Sequence, residues 1–357
     1  MVKAQTSVSY KISAIITVYN AEEYFDTLID NIRNQTKHIM QGYDVEVMIV
    51  DDCSTDATFA RLQDVFRSYN HVKVIKTEQN GGAGHARNVG FRHSSGQYVL
   101  FLDSDDQYES NIFEKCLHAL TLAQADIIFY QADRVDLTLN IEEKIHYPIF
   151  DQFRPYQIFS AMEVEGNIFD SATWWAWDRL FRRDFIAENH LEFQEIRLTN
   201  DLFFSAASFL VAPRIMYIDD VLLHHIENRK GSVSNSRSSS FACCLEALEL
   251  LRVFLVKRGL WVPAKDHFYN YAITFLNWHL ESISGPAFFP LYDQVKEFFQ
   301  TNLNADANIL FENSETLDRV LGSTALEYLE YLKSKFYIEK ELLNKVNQYL
   351  IGRLQGN

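Results

Sequence analysis

The first 130 residues alternate short β-branched, apolar runs with amphipathic stretches, and this alternation narrows the open folds more than any other feature. The spacing predicts strands over Ile12–Val18, Val45–Val50, Val72–Lys76, Tyr98–Leu102 and Asp126–Tyr130. Helices are expected between them, at about 21–35, 56–69, 83–93 and 110–123. Most of these strands are near-continuous apolar runs, as strands are when helices cover both faces, so the sheet should be mostly parallel. Ligands of such a sheet bind where the carboxyl ends of the strands open into loops. The polar clusters Thr17–Asn20, Asp51–Asp56, Asn80–Asn88 and Asp103–Asp106 all fall at those ends.

Residues 131–230 are less regular and hold three close tryptophans, Trp174, Trp175 and Trp177, and a polar segment, His224–Arg237. Gly231 to Ser240 is serine-rich and reads as a loop. Helical patterns then follow one another at about 240–258, 264–284, 290–302, 315–335 and 337–353, broken at Pro263, Gly285–Pro286 and Pro290. The expected organisation is an α/β domain over 1–238, with a ligand-binding half at about 10–130 and a second half at 131–238. An all-helical domain over 239–357 completes the chain.

The formal net charge is −15, which argues against a nucleic-acid backbone as partner and makes an anionic membrane a poor docking surface. A phosphorylated ligand would need a local reversal of sign, from a helix N-terminus, an arginine or a cation. Four cysteines show no metal-binding spacing, and the chain has no signal pattern or apolar run of about 18 residues. A reduced, cytoplasmic protein is expected, with membrane contact only peripheral, at the inner face.

In FLDSDD, Asp103, Asp105 and Asp106 crowd a strand end and repel one another. A hard divalent cation completed by phosphate oxygens makes sense of them, although a solvated acidic turn would also carry this pattern. In IVDDCSTD, Asp51 and Asp52 end a strand before Ser54, Thr55 and Asp56, which also suit a capped turn. NGGAGHARN follows the third strand and lacks both the last glycine of a dinucleotide fingerprint and a Walker A pattern. It reads as a close-approach loop that carries Arg87 towards a ligand, or as a plain glycine-rich turn.

Together these segments resemble the family 2 glycosyltransferases of the GT-A, Rossmann-like fold, of the bacterial surface-polysaccharide or glycoprotein type. The resemblance runs from ISAIITVYNAEEYFDTLIDNIRNQT through VMIVDDCSTDAT and NGGAGHARNVGFRHSSGQYVLFLDSDD, then more loosely to WAWDRLFRRDFIAENHLEF and TNDLFF, about residues 10–235. It implies Thr17 and Tyr19 near the nucleobase, with Asp52 hydrogen-bonded to it and Asn20 among the nucleotide and donor contacts. It places Gly82, Arg87 and Asn88 beside the donor sugar and diphosphate, Asp103 and Ser104 on the nucleotide, and Asp105 on the cation with Asp103. The family's downstream Glu-Asp reads Asn200-Asp201 here; Asp201 is the implied general base, and a helix N-cap is its plainer role. His224-His225 and the segment from Arg229 to Ser232 resemble the family's closing segment, with His225 as candidate metal ligand and Arg229 and Ser232 as donor contacts. The three tryptophans are candidate acceptor contacts, or core.

The implied reaction is metal-dependent (Mn²⁺ or Mg²⁺), inverting transfer of a hexosyl group from a UDP-sugar (glucose, galactose or N-acetylhexosamine) to a hydroxyl of a glycan, glycolipid or glycoprotein. A sugar nucleotidyltransferase is a weaker alternative, because a glycine-rich loop with Arg and Lys should follow the first strand, where VYNAEEY stands. A non-catalytic nucleotide- or glycan-binding member of the fold is the other. The helical tail has apolar positions at Leu245, Leu248, Leu251, Phe254 and Leu255 that must be buried. Packing within the protein is its expected task, and self-association or acceptor positioning through Tyr328, Tyr331 and Leu332 is the sharper alternative.

Overall fold

A computed structural model describes residues 11–39, 45–227, 238–283, 285–302, 329–337 and 340. The chain divides into two compact units, Met1–Asn235 with Ala247–Arg258, and Ser236–Glu246 with Gly259–Asn357.

The first unit opens with β1 (Ile12–Val18), α1 (Phe25–Ile39), β2 (Val45–Asp51), α2 (Thr58–Phe66), β3 (Val72–Lys76), α3 (Gly82–His93) and β4 (Tyr98–Asp103). It continues with β5 (Gln107–Tyr108), α4 (Ile112–Leu122), β6 (Ile127–Asp136), β7 (Ile141–Lys144), α5 (Pro148–Gln152), β8 (Arg179–Arg182), α6 (Arg183–Glu188), α7 (Leu202–Val211) and β9 (Ile215–Glu227). One nine-stranded sheet runs in the order β3-β2-β1-β4-β8-β6-β9-β5, with β7 beside β6. Strands β3, β2, β1 and β4 are parallel neighbours, as are β6 and β9, whereas β8, β5 and β7 pair antiparallel. The parallel expectation thus describes the half that was legible as alternating strand and helix, and the later half is mixed.

Strands β1 and β2 are buried along their whole length because both faces are covered. Ile12, Ala14, Ile16 and Val18 pack in one apolar cluster with Phe25, Leu28, Ile29 and Ile32 of α1 and with Ile112 and Cys116 of α4. On the other face α3 lies so close that a Cβ on Gly90 would stand 2.4 Å from the Ile15 side chain. Burial of this apolar area is the main force holding the layers together.

Helix α8 (Cys243–Lys257) contributes its later turns to the first unit, where Phe254 meets Phe203 edge-on. Of its apolar stripe, Leu248, Leu251 and Leu255 are fully buried. In the second unit α9 (Trp261–Ser282) and α10 (Phe288–Asn302) bury Phe268, Ile273, Leu276, Leu291 and Val295. Phe288 stacks on Phe336 at 4.0 Å. Tyr331 is exposed but Leu332 is buried, so Leu332 does not belong to an outer face; Tyr328 lies outside the described residues. Among the described residues no helix is long and apolar enough to cross a membrane.

Candidate active site

The carboxyl ends of β1, β2 and β4 lie side by side, with Thr17 opposite both Val50 and Asp103. Beyond β1 the chain turns sharply at Asn20, whose φ is 47°. Its N–H donates to Ser54 Oγ (2.9 Å) and its side-chain oxygen accepts from Thr55 N (2.9 Å), tying the first two strand-end loops together. Asn20 is therefore engaged in holding the site's frame. Thr17 is nearly buried, and Tyr19 is 38% exposed, with a ring surface free to meet a planar ligand.

Asp52, 3% exposed, sits directly after β2. Its Oδ1 accepts from Thr77 Oγ1 (3.2 Å) and Gly81 N (3.1 Å), and its Oδ2 accepts from Gly82 N (2.7 Å). Helix N-termini attract anions through their unpaired N–H groups, and here the anion at the start of α3 is the protein's own carboxylate. Gly82, expected beside the donor, gives its N–H to Asp52, and its φ of 83° suits a residue without a Cβ at the turn into α3. Asp52 likewise faces the 80–82 loop with both oxygens.

Arg87 is the hub. It projects from α3 where Gly84 lets the helix pass the 194–200 loop; a Cβ there would stand 2.1 Å from the Gln194 carbonyl oxygen. The guanidinium is 4% exposed, donates to Asp103 Oδ1 (2.6 Å) and Asn200 Oδ1 (2.7 Å), and lies over the Phe193 ring at 5.2 Å. Burial works against its charge, yet Asp103, Asp201 and Asp105 together hold its pKa above the ordinary arginine value. Asn200 thus keeps the hydrogen bond to Arg87 that a carboxylate would make, without the charge. Asn88, expected beside the donor, exchanges two 2.9 Å bonds with the Phe193 backbone and fastens that segment to α3.

Asp201 stands at the N-cap position of α7, but its side chain makes no capping bond. Burial pushes its carboxyl up to about 6; Arg87 pulls it down and Asp103 pushes it further up. A partly accessible carboxylate with that value is suited to proton abstraction near neutral pH.

Asp106 is fully buried at the turn after β4, where Oδ1 accepts from His225 Nδ1 (2.8 Å) and Ile226 N (3.1 Å). Burial raises the Asp106 pKa, and although burial alone would lower that of His225, the bond to Asp106 outweighs it and raises His225 above the ordinary histidine value. Trp177 stacks on His225 at 5.0 Å and Trp175 stacks on Trp177 at 4.8 Å. Trp177 is 2% exposed and Trp174, 7% exposed, donates its indole N–H to the Phe169 carbonyl, so both are core; Trp175 alone keeps partial exposure. The buried pair Asp178–Arg179 anchors this segment, with Arg179 also donating to the Thr173 carbonyl and covering Phe129. Two charges within the apolar run WAWDRLF were the signal for that pair, since such residues are seldom buried unless partnered.

Asp103 and Asp105 are the part-exposed carboxylates at the end of β4, with Ser104 buried between them. Among the described residues, Asp103, Asp105 and His225 are not a trio of donors close enough to enclose an ion unaided, and the bond to Asp106 turns His225 Nδ1 away from that duty. Arg229 and Ser232 lie outside the described residues.

Residues 13–183 match the family model described as glycosyl transferase family 2. The chain is 25% identical over 329 residues to the poly(ribitol-phosphate) beta-N-acetylglucosaminyltransferase TarS of Staphylococcus aureus, covering 91% of this chain and 53% of that protein. It thus spans about half the length of that relative. Over 279 residues it is 25% identical to a cholesterol galactosyltransferase of Borreliella burgdorferi, covering 74% of this chain and 73% of the other. The crystal structure of S. aureus TarS residues 1–349 in complex with UDP shares the fold, with a TM-score of 0.59 at 23% identity over 91% of this chain and 88% of that one. Residues 13–183 match the glycosyl transferase family 2 model, and the mixed sheet with its acidic strand end and the similarity to these relatives agree with that match.

Proposed function

We propose that this protein transfers a hexosyl group from a UDP-sugar to a hydroxyl of a bacterial surface glycan by a single, inverting displacement. The observation that carries the reading is Asp201, an uncapped carboxylate raised to about 6 beside the Arg87–Asp103 pair. Asp201 removes the acceptor proton as the oxygen attacks the anomeric carbon from the face opposite UDP. Arg87, locked between Asp103 and Asn200, orients the Asp103 carboxylate and offers fixed positive charge beside the departing diphosphate. Tyr19 and Thr17 line the nucleobase end. The acceptor ring stacks on the accessible part of Trp175, which Trp177 and His225 hold in place. The donor is assigned to UDP-N-acetylglucosamine first, since TarS is an N-acetylglucosaminyltransferase whose 1–349 fragment is also known in complex with UDP-GlcNAc.

Two part-exposed carboxylates, Asp103 and Asp105, fit a hard divalent cation whose remaining ligands are diphosphate oxygens. Mn²⁺ or Mg²⁺ there would neutralise charge on the leaving UDP.

The test is UDP release from a panel of UDP-sugars, with glycan acceptor, in the presence of Mn²⁺ or Mg²⁺ and again with chelator. Turnover of one donor that chelator abolishes is expected. Absence of turnover with every donor would remove the transferase reading, and full turnover in chelator would remove the cation from it. Trp175→Ala should raise the acceptor KM by about tenfold and leave slow hydrolysis of the donor unchanged, given the worth of one aromatic contact.

A further inference from the structure

We infer that Asp133, Glu142 and His224 form a second divalent-cation site, of the zinc class, separate from the catalytic strand end. Successive residues of a strand point to opposite faces, so His224 leaves β9 on the side away from His225 and its partner Asp106. Asp133 on β6 is the register partner of His224, and Glu142 on β7 lies opposite Val135, two residues along the same face of β6. Three adjacent strands therefore deliver three different donors to one place.

The distances favour coordination over a simple ion pair. His224 Nδ1 is 3.6 Å from Asp133 Oδ2 and 3.6 Å from Glu142 Oε1, beyond hydrogen-bond range in both directions. All three donor atoms lie within 4.8 Å of one another. Ligands bound tetrahedrally at about 2.0–2.2 Å stand roughly 3.3–3.6 Å apart, so the two histidine–carboxylate spacings suit a shared ion. The other ring nitrogen, Nε2, is 3.1 Å from Glu109 Oε1, a true hydrogen bond. A carboxylate that holds the proton on one imidazole nitrogen leaves the other nitrogen's lone pair facing the ligand set, as in carboxylate–histidine–zinc arrangements. One nitrogen and two carboxylate oxygens, with water as a fourth ligand, is a borderline donor set that zinc accepts readily. The ion would bind the four-residue β7 to β9 and stiffen the sheet edge behind His225.

Zinc titration of the full chain in an Asp105→Asn background, read by competition with a chromophoric chelator, separates this site from the catalytic one. One zinc equivalent should bind, and Co²⁺ in its place should show tetrahedral d–d absorption. Adding His224→Gln or Glu142→Gln should weaken binding by more than tenfold. Glu109→Gln should weaken it by about 10–100-fold, the usual effect of a partner that orients a ligand. Glu142 is exposed on a short strand, so Glu142→Gln keeps the test valid should His224→Gln fail to fold. No zinc binding in the Asp105→Asn chain, or equal affinity after Glu142→Gln, would overturn the inference. Neither outcome bears on the transferase reading, which the donor panel tests independently.

Discussion

The parallel strands carry buried carboxylates at both ends, and the two ends are finished differently. At the amino end Glu46 is 1% exposed, and its Oε1 accepts from Ser13 Oγ (2.7 Å), Ser95 N (2.5 Å), Ser95 Oγ (2.9 Å) and Gly96 N (3.2 Å). Lys73 adds a positive charge 3.5 Å from its other oxygen. At the carboxyl end Asp103, Asp105, Asp106 and Asp201 share Arg87 and His225 as nearby cations, and Asp201 feels both Arg87 and the like charge of Asp103. A carboxylate with one oxygen filled by four donors and a lysine beside the other is a structural joint. One that is desolvated and crowded by like charges is poised to take up a proton or a cation, and such strain gathers where chemistry is done.

The sharpest way to break this contrast is Asp201→Asn. It should lower turnover by about 10²–10⁴-fold while leaving UDP affinity intact, as expected for a positioned base. Near-normal kcat in that variant would return Asp201 to the structural class. Glu46→Ala should do the reverse: it strands Ser13, Ser95 and Gly96 donors and should cost about 3 kcal/mol of stability, with kcat per folded molecule unchanged. Urea unfolding with parallel activity assays checks it; an unaltered midpoint would show that the amino-end cluster is dispensable.

A smaller effect sharpens the comparison through pH. The folded pKa of Asp201 is raised, so the fold favours its protonated form; the stability from this group is full below the usual 3.8 and is lost as pH rises through about 6. Catalysis needs the ionised form, so kcat should climb through the same window and fall about tenfold per unit below it. Asn200→Asp adds a like charge beside Arg87 and Asp201 and should move this limb upward by roughly half a unit. A limb that stays near 4 in the parent enzyme, or that Asn200→Asp leaves in place, would show that Asp201 is not the group titrating.

The parallel half was legible because each strand, loop and helix there is a local pattern: apolar run, polar end, amphipathic stretch. The same locality exposed Asp103–Asp106 as a cluster before any fold was known. What escaped the sequence depends on partners far along the chain. Asn88 meets Phe193 and Arg87 meets Asn200, each more than a hundred residues away, and no periodicity announces such bonds. Nothing in IVDDCSTD reveals that Gly81 and Gly82 return to meet Asp52. The antiparallel insertion of β8 between β4 and β6 was likewise invisible, because strand order is decided by packing rather than by any one segment.

The irregularity between β6 and β9 carries a consequence for how the chain must fold. Tyr130 pairs with Ile218 and Ala132 with Leu223, so two steps along β6 are matched by five along β9. The odd surplus of residues decides which neighbouring histidine turns to Asp106 and which to Asp133. Removing a single residue from that bulge would leave composition and strand length almost unchanged, yet it would exchange His224 and His225 between the two faces. Misregistered chains of this kind would keep an apparently native sheet while losing the His225–Asp106 contact, a silent folding error detectable by tryptophan fluorescence, because the His225 ring stacked on Trp177 would be gone.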